Sequence, residues 1–177
     1  MKKSKVIFPQ KAIEKQIFTK MSALQTERLV EYALREIQLI GNDISVFPHA
    51  NNLDRTGNLL DSLCWGVYFN GKKKDSGFYR NLTAGEISHL HEYSRPMGKA
   101  VSGHYMAQQF IQKYKPTNDK GWEVFFAVLA PYWGYWETGF ETPSGKQLRW
   151  QVMTRHYDVV SNDLKPANVT FNIYRAS

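Results

Sequence analysis

Apolar residues recur at helical spacing between residues 11 and 41, a stretch that is also rich in good helix formers. A first apolar stripe comprises Ile13, Ile17, Met21 and Leu24. A second stripe comprises Val30, Ala33, Leu34, Ile37 and Ile40. Because successive residues turn by about 100°, the two stripes do not share one face of a helix. The pattern predicts either a break near residues 22–26 or one long helix that faces different partners along its length.

Local end signals favour the break. Ser22 and Gln25 fit a capping box, the reciprocal pair of side-chain bonds that starts a helix. Further along, Gly41-Asn42 is typical of a helix end, because glycine adopts the left-handed conformation at little cost.

Three later segments carry strand signals. Residues 64–70 follow a short helix expected at 57–63, and they end at Asn70-Gly71, a strong hairpin-turn pair. Residues 122–130 are apolar on both faces after Glu123, which indicates a central strand. Residues 168–174 alternate between apolar and polar side chains and predict a terminal strand.

The remaining segments are predicted to form helices and a loop. Residues 101–114 and 147–164 have apolar side chains at helical spacing, and Pro131 begins a short aromatic helix that closes at Gly139. In residues 72–100 apolar side chains recur at neither helical nor strand spacing, so this segment is expected to form an inserted loop. The sequence therefore predicts one α+β domain over residues 1–177, with an N-terminal arm at 1–10. Its small, mainly antiparallel sheet is packed by a long N-terminal helical region and two further helices.

Charge and aromatic content add candidate partners. The chain carries a formal charge of +7, and 14% of its residues are aromatic, which suits packing against neighbouring molecules. Lysines that are candidates for an interface are Lys2, Lys3, Lys5, Lys72, Lys73 and Lys74. With the basic residues Lys146, Arg149 and Arg155, these lysines support nucleic-acid binding as an alternative function. No helix-turn-helix, zinc-finger or RNP pattern accompanies them.

Signals for chemistry are weak, and we expect no catalytic, metal or cofactor site. The single cysteine, Cys64, lies in an apolar run and is expected to be a buried small hydrophobe. His89 and His91 lack a third ligand at a recognisable spacing, so surface imidazoles explain them better than a metal. The string PSGK at 143–146 lacks the Walker spacing and is expected to be a turn.

One less favoured alternative is carbohydrate binding or hydrolysis. Glu137 and Glu141 lie near Trp133, Tyr135 and Trp136, and sugar hydrolysis uses two carboxylates in an aromatic cleft. A separation of four residues across a helix end does not fix the distance between the two carboxylates.

Neither a signal peptide nor a membrane-length apolar run is expected. The protein is therefore predicted to remain in a reducing cytoplasm or in a particle assembled there.

Two segments together resemble a known family. Residues 55–72 contain Thr56, Gly57, Asn58, Leu59 and Ser62 in a TGNL..S arrangement at a helix start. Residues 130–150 contain Tyr132, Tyr135, Glu137 and Gly139 after a strong strand. Over roughly residues 28–165 this order is similar to that of the lambdoid-type phage tail-component family of tail-completion and head–tail joining proteins. The insertion at 72–100 and the terminal strand depart from the family's pattern.

The resemblance implies a structural virion protein of a tailed phage or prophage, without chemistry of its own. Such a subunit would form a homo-oligomeric ring in the neck or tail, bound to portal, connector or tail-tube proteins and near packaged DNA. Residues 1–10 and 72–100, together with Trp133 and Trp136, are expected at its contacts. Thr56 is expected to cap a helix, Gly139 to adopt a left-handed cap, and the Glu137 carboxylate to bind a backbone N–H or Arg55.

Overall fold

The computed structural model describes residues 10–46, 58–83, 102–130, 137, 139–141, 143–149 and 151–175. The helices in these ranges are α1 (Gln10–Ser45), α2 (Asn58–Asp61), α3 (Gly103–Lys113) and α4 (Val152–Leu164), followed by a short 3-10 helix (Lys165–Ala167). The strands are β1 (Leu63–Phe69), β2 (Lys72–Phe78), β3 (Trp122–Val128), β4 (Phe140–Glu141), β5 (Gln147–Leu148) and β6 (Val169–Arg175). The fold is α+β, and the predicted fold class is confirmed.

The main sheet has four strands in the order β2-β1-β3-β6. Strand β1 pairs antiparallel with both β2 and β3, whereas β6 pairs parallel with β3. The sheet is therefore mixed, with two of its three pairings antiparallel. The parallel pairing follows from the connection, because α4 carries the chain back past the sheet before β6 begins. The predicted strands at 122–130 and 168–174 are confirmed within two residues.

The sheet is covered on both faces. Alternate side chains such as Val67 and Phe126 join α1 and α4 in one apolar cluster. The intervening side chains, including Phe125, join α3 in a second cluster. The described elements therefore form three layers, with β1 and β3 buried between them.

Helix α1 is continuous, so the predicted break at residues 22–26 is wrong. The Ser22 carbonyl accepts a hydrogen bond from the Thr26 hydroxyl at 2.8 Å within the helix, and no new N-terminus forms there. The capping box was a local signal in a run of residues that all favour helix. The predicted end at Gly41-Asn42 is also wrong, because α1 continues to Ser45. Gly41 instead allows close packing, since a Cβ there would overlap the Tyr79 ring.

The two apolar stripes of α1 have different surroundings. In the second stripe Ala33, Ile37 and Ile40 are buried in the core, while Leu34 is exposed. In the first stripe Ile17, Met21 and Leu24 are exposed; the side chain of Ile13 lies outside the described residues. One long helix with two differently placed stripes is therefore the correct alternative.

Residues 72–78 form a strand, which corrects the prediction of a loop from residue 72. Asn70 and Gly71 have φ of 49° and 71°, so the predicted turn is confirmed, and it joins β1 to β2. Lys72, Lys73 and Lys74 are exposed on this edge strand rather than at a loop tip. Edge strands often carry lysines, which removes the apolar alternation that identifies a strand in sequence. Residues 84–101 lie outside the described residues.

The last helix begins later than predicted. Residues 147–148 form β5, which pairs with β4, and α4 starts at Val152. Val152 and Val160 are buried, whereas Val159 and Tyr157 are exposed. The short helix expected from Pro131 falls on residues that lie mostly outside the described ranges.

Candidate functional site

Ser62 connects the end of α2 to the end of β3. Its buried hydroxyl donates to the Leu59 carbonyl at 2.7 Å. The same oxygen accepts hydrogen bonds from the backbone N–H groups of Leu129 at 3.2 Å and Ala130 at 3.0 Å. These two residues follow β3, where ladder partners end, and buried N–H groups need an acceptor. Ser62 supplies that acceptor from a site more than 60 residues earlier in the chain.

Asn58 connects α2 to the start of α3. Its Oδ1 accepts a hydrogen bond from the backbone N–H of Gly103 at 2.9 Å, and both residues are buried. Gly103 is the first residue of α3, where helix N–H groups lack intrahelical partners. A Cβ at Gly103 would overlap the carbonyl oxygen of Asn58, so the close approach of the two helices requires glycine.

The other described member of the first motif, Leu59, is apolar. Leu59 is buried in the core, as is Leu63 at the start of β1. Thr56, Gly57 and Arg55 lie outside the described residues, so the predicted helix cap at Thr56 stays a prediction.

Glu137 is a buried carboxylate at the start of α4. Its Oε1 accepts a hydrogen bond from the backbone N–H of Met153 at 2.6 Å, and its Oε2 accepts one from the Thr154 hydroxyl at 3.0 Å. Among the described residues, the N-cap Gln151 makes no side-chain hydrogen bond to this turn. Glu137 therefore caps α4 from a distant position, and its charge also interacts favourably with the helix dipole. The expectation that Glu137 binds a backbone N–H is confirmed.

Gly139 has a φ of 92°, so the predicted left-handed conformation is confirmed. The aromatic members of the second segment, Tyr132, Trp133, Tyr135 and Trp136, lie outside the described residues. Any contacts they make stay predictions.

The second carboxylate considered for sugar hydrolysis has a different environment. Glu141 is exposed and accepts a hydrogen bond from the Gln147 amide at 3.0 Å. A cavity of about 300 Å³ lies beside Glu137, and the described residues that line it include Met153, Tyr157 and Ile173. Both oxygens of Glu137 already accept hydrogen bonds from the first turn of α4. That engagement gives Glu137 a structural role at this position.

Cys64 is fully buried in β1, as its apolar context predicted. Burial raises the pKa of the Cys64 thiol, because the charged thiolate is poorly solvated there. The thiol form is favoured, and thiols are poor nucleophiles.

A partly buried histidine, His156, joins α1 to α4 and was not singled out from the sequence. Nδ1 of His156 lies 2.5 Å from Oε1 of Glu36, and Nε2 lies 3.2 Å from Oδ2 of Asp43. Burial by itself lowers the pKa of His156, but hydrogen bonding and charge from Glu36 and then Asp43 outweigh it, so the pKa is raised. Arg155 is 4.0 Å from Asp43 at the exposed end of the group.

Another buried carboxylate, Glu123 on β3, organises the segment before that strand. It accepts hydrogen bonds from the Tyr114 hydroxyl at 2.5 Å and from the backbone N–H groups of Thr117 and Asn118 at 3.1 and 2.9 Å. The Thr117 hydroxyl adds a fourth at 2.9 Å. Burial, with the Glu123 and Tyr174 hydrogen bonds, raises the pKa of Tyr114. The sequence signal was a lone Glu in an apolar strand.

Exposed lysines at the hairpin lie beside an aromatic pair. The Phe69 ring stacks on Trp122 with centroids 4.4 Å apart. The Lys74 ammonium lies 5.6 Å from the centroid of Phe69. Lys72 and Lys73 are also exposed, whereas Lys2, Lys3 and Lys5 lie outside the described residues.

Within the described ranges, no group of three or more His, Cys, Asp or Glu side chains is placed to hold a metal ion. His89 and His91 fall outside those ranges. No described helix combines the length and apolar character needed to cross a membrane. No protein-family model, curated protein or solved structure matches the chain.

Removing the Glu137 carboxylate should destabilise the fold. We expect Glu137→Ala to lower the free energy of unfolding by about 2–3 kcal/mol, because the buried Met153 N–H loses a charged acceptor. Glu137→Gln keeps one acceptor oxygen and should lose about half as much. The exposed Glu141→Ala is the matched control and should change stability by less than about 0.5 kcal/mol. Urea denaturation measures all three, and a Glu137→Ala protein as stable as wild type would contradict the capping role.

The His156 group should make stability depend on pH. Because the folded-state pKa lies above the ordinary 6.5, the interaction stabilises the fold fully below pH 6.5 and is lost as pH rises through the raised pKa. The difference in free energy of unfolding between wild type and His156→Gln should therefore be largest below pH 6.5 and shrink as the pH rises above it. His104→Gln is the control, since burial lowers the pKa of His104. A difference that is constant or grows with pH would refute the assignment.

Proposed function

We propose that the protein is a structural subunit of a tailed bacteriophage or prophage that completes the joint between head and tail. The proposal rests on what the polar motif residues bind in the fold. Asn58, Ser62 and Glu137 all direct oxygen atoms at backbone N–H groups where helices or strands begin or end. Such residues fix the shape of a subunit, which is what a protein that acts by fitting its neighbours requires.

The described surface also offers places for neighbours to bind. Strand β2 lies at one edge of the sheet with Lys72, Lys73 and Lys74 exposed. The first half of α1 exposes apolar side chains. On this proposal, copies of the chain form a ring on the particle by head-to-tail contacts and bind portal, connector or tail-tube proteins. The ring is assembled in the host cytoplasm, becomes part of the virion and lies near packaged DNA.

Nucleic-acid binding is the second candidate. The three exposed lysines next to the stacked Phe69 and Trp122 rings favour it, because cations and aromatic rings together bind phosphates and bases. DNA binding by the isolated protein that falls steeply with salt, with a slope reduced by about 2–3 when all three lysines become glutamine, would support this candidate over the first.

Gene context and gene deletion test the main proposal. We expect neighbouring genes for portal, major capsid or tape-measure proteins. Deleting the gene from the phage or prophage should leave DNA-filled heads and unattached tails in negative-stain electron microscopy. Wild-type protein supplied from a plasmid should restore joined particles, and the control Glu141→Ala should restore them equally. Joined, infectious particles in the absence of the gene would refute the proposal.

A further inference from the structure

The outward face of α1 carries a short apolar stripe between the exposed Glu14 and Arg28. Ile17, Met21 and Leu24 are between 54% and 65% exposed. At about 100° per residue these three side chains lie roughly opposite the face that carries Leu29 and Ala33 into the core. The stripe therefore cannot reach the described body of its own subunit by a change of side-chain conformation.

Among the described residues, this part of α1 contacts the sheet through Phe18, whose ring centroid lies 6.3 Å from that of Phe69 on β1. Every residue from Glu14 to Met21 is exposed, although α1 runs unbroken through this region. Helical segments of this length are marginal in water unless one face is packed. A row of exposed apolar residues along such a segment is typical of a surface that binds another protein.

The charges beside the stripe identify a partner. Lys20 and Glu27 are both exposed and are seven residues apart, so they lie on the same flank of the helix. Their separation along the axis is about 10 Å, too far for a pair within one helix. When two such helices run antiparallel, Lys20 of each copy faces Glu27 of the other, which gives two opposite-charge pairs. When the two helices run parallel, Lys20 and Glu27 of one copy instead face Gln25 and Tyr32 of the other, neither of which is charged.

We propose that this surface binds a second copy of the chain, with the two α1 helices packed antiparallel about a two-fold axis. Met21 of each copy packs against Leu24 of the other, and Lys20 pairs with Glu27 on the flank. The contact is two-fold, so it differs from the head-to-tail contact of a ring and does not rest on the proposed function. Because the surface is small, the dimer is weak and concentration-dependent.

A charge-exchange series tests the pairing. Sedimentation velocity of the full chain from about 5 to about 500 µM should show a monomer–dimer equilibrium for wild type. Lys20→Glu and Glu27→Lys should each raise the dissociation constant about tenfold, because each substitution creates two like-charge pairs. The double variant Lys20→Glu with Glu27→Lys should restore dimerisation to near the wild-type level.

The apolar contact has a matched control. Leu24→Glu should remove the dimer, whereas Val159→Glu, at a similarly exposed apolar position on α4, should leave it unchanged. Thermal melting checks that each variant is folded, and the exposed charge variants keep the proposal testable if Leu24→Glu does not fold. A wild-type chain that is monomeric throughout, a double variant as weak as the singles, or loss of the dimer in Val159→Glu would each overturn the proposal.

Discussion

Strands β1 and β3 pair antiparallel from Leu63 and Val128 to Phe69 and Trp122, and nearly every residue of both strands is buried. The other described layers depend on this pair. Helices α1 and α4 cover one face, α3 covers the other, and β2 and β6 extend the sheet on either side. With both faces apolar, the pair is stable only when helices cover both.

Burying a sheet on both faces brings the ends of several elements into the interior, where their backbone groups cannot bind water. The structure meets that requirement with side chains from distant positions. Side-chain oxygens accept hydrogen bonds from backbone N–H groups at three such ends. Ser62 does so just after β3, Asn58 at the start of α3 and Glu137 at the start of α4. These three residues belong to the motifs on which the phage resemblance rests, and they bind backbone groups that water cannot reach. A polar residue in a motif can therefore indicate a structural role as readily as a catalytic one.

The sequence predicted the elements whose apolar side chains form a continuous run or recur at the spacing of a helix or a strand. Strand β3 is an uninterrupted apolar run and β6 alternates, so both were found, as was most of α3. Strand β2 was missed because its lysines face solvent at the sheet edge. The false break in α1 came from a capping pair that is valid locally but is overridden by a continuous run of helix formers. The group of Glu36 and His156 spans 120 residues, so only the packing of α1 on α4 brings it together.

The central claim is that the motif side chains hold the ends of the secondary structure elements in place. Amide hydrogen exchange tests it at four N–H groups, those of Gly103, Leu129, Ala130 and Met153, which are bound by Asn58, Ser62 and Glu137. If the claim is correct, all four exchange only through global unfolding, with protection equal to that of the β1–β3 ladder. Exchange of these amides by local opening, at rates typical of frayed helix ends, would contradict it.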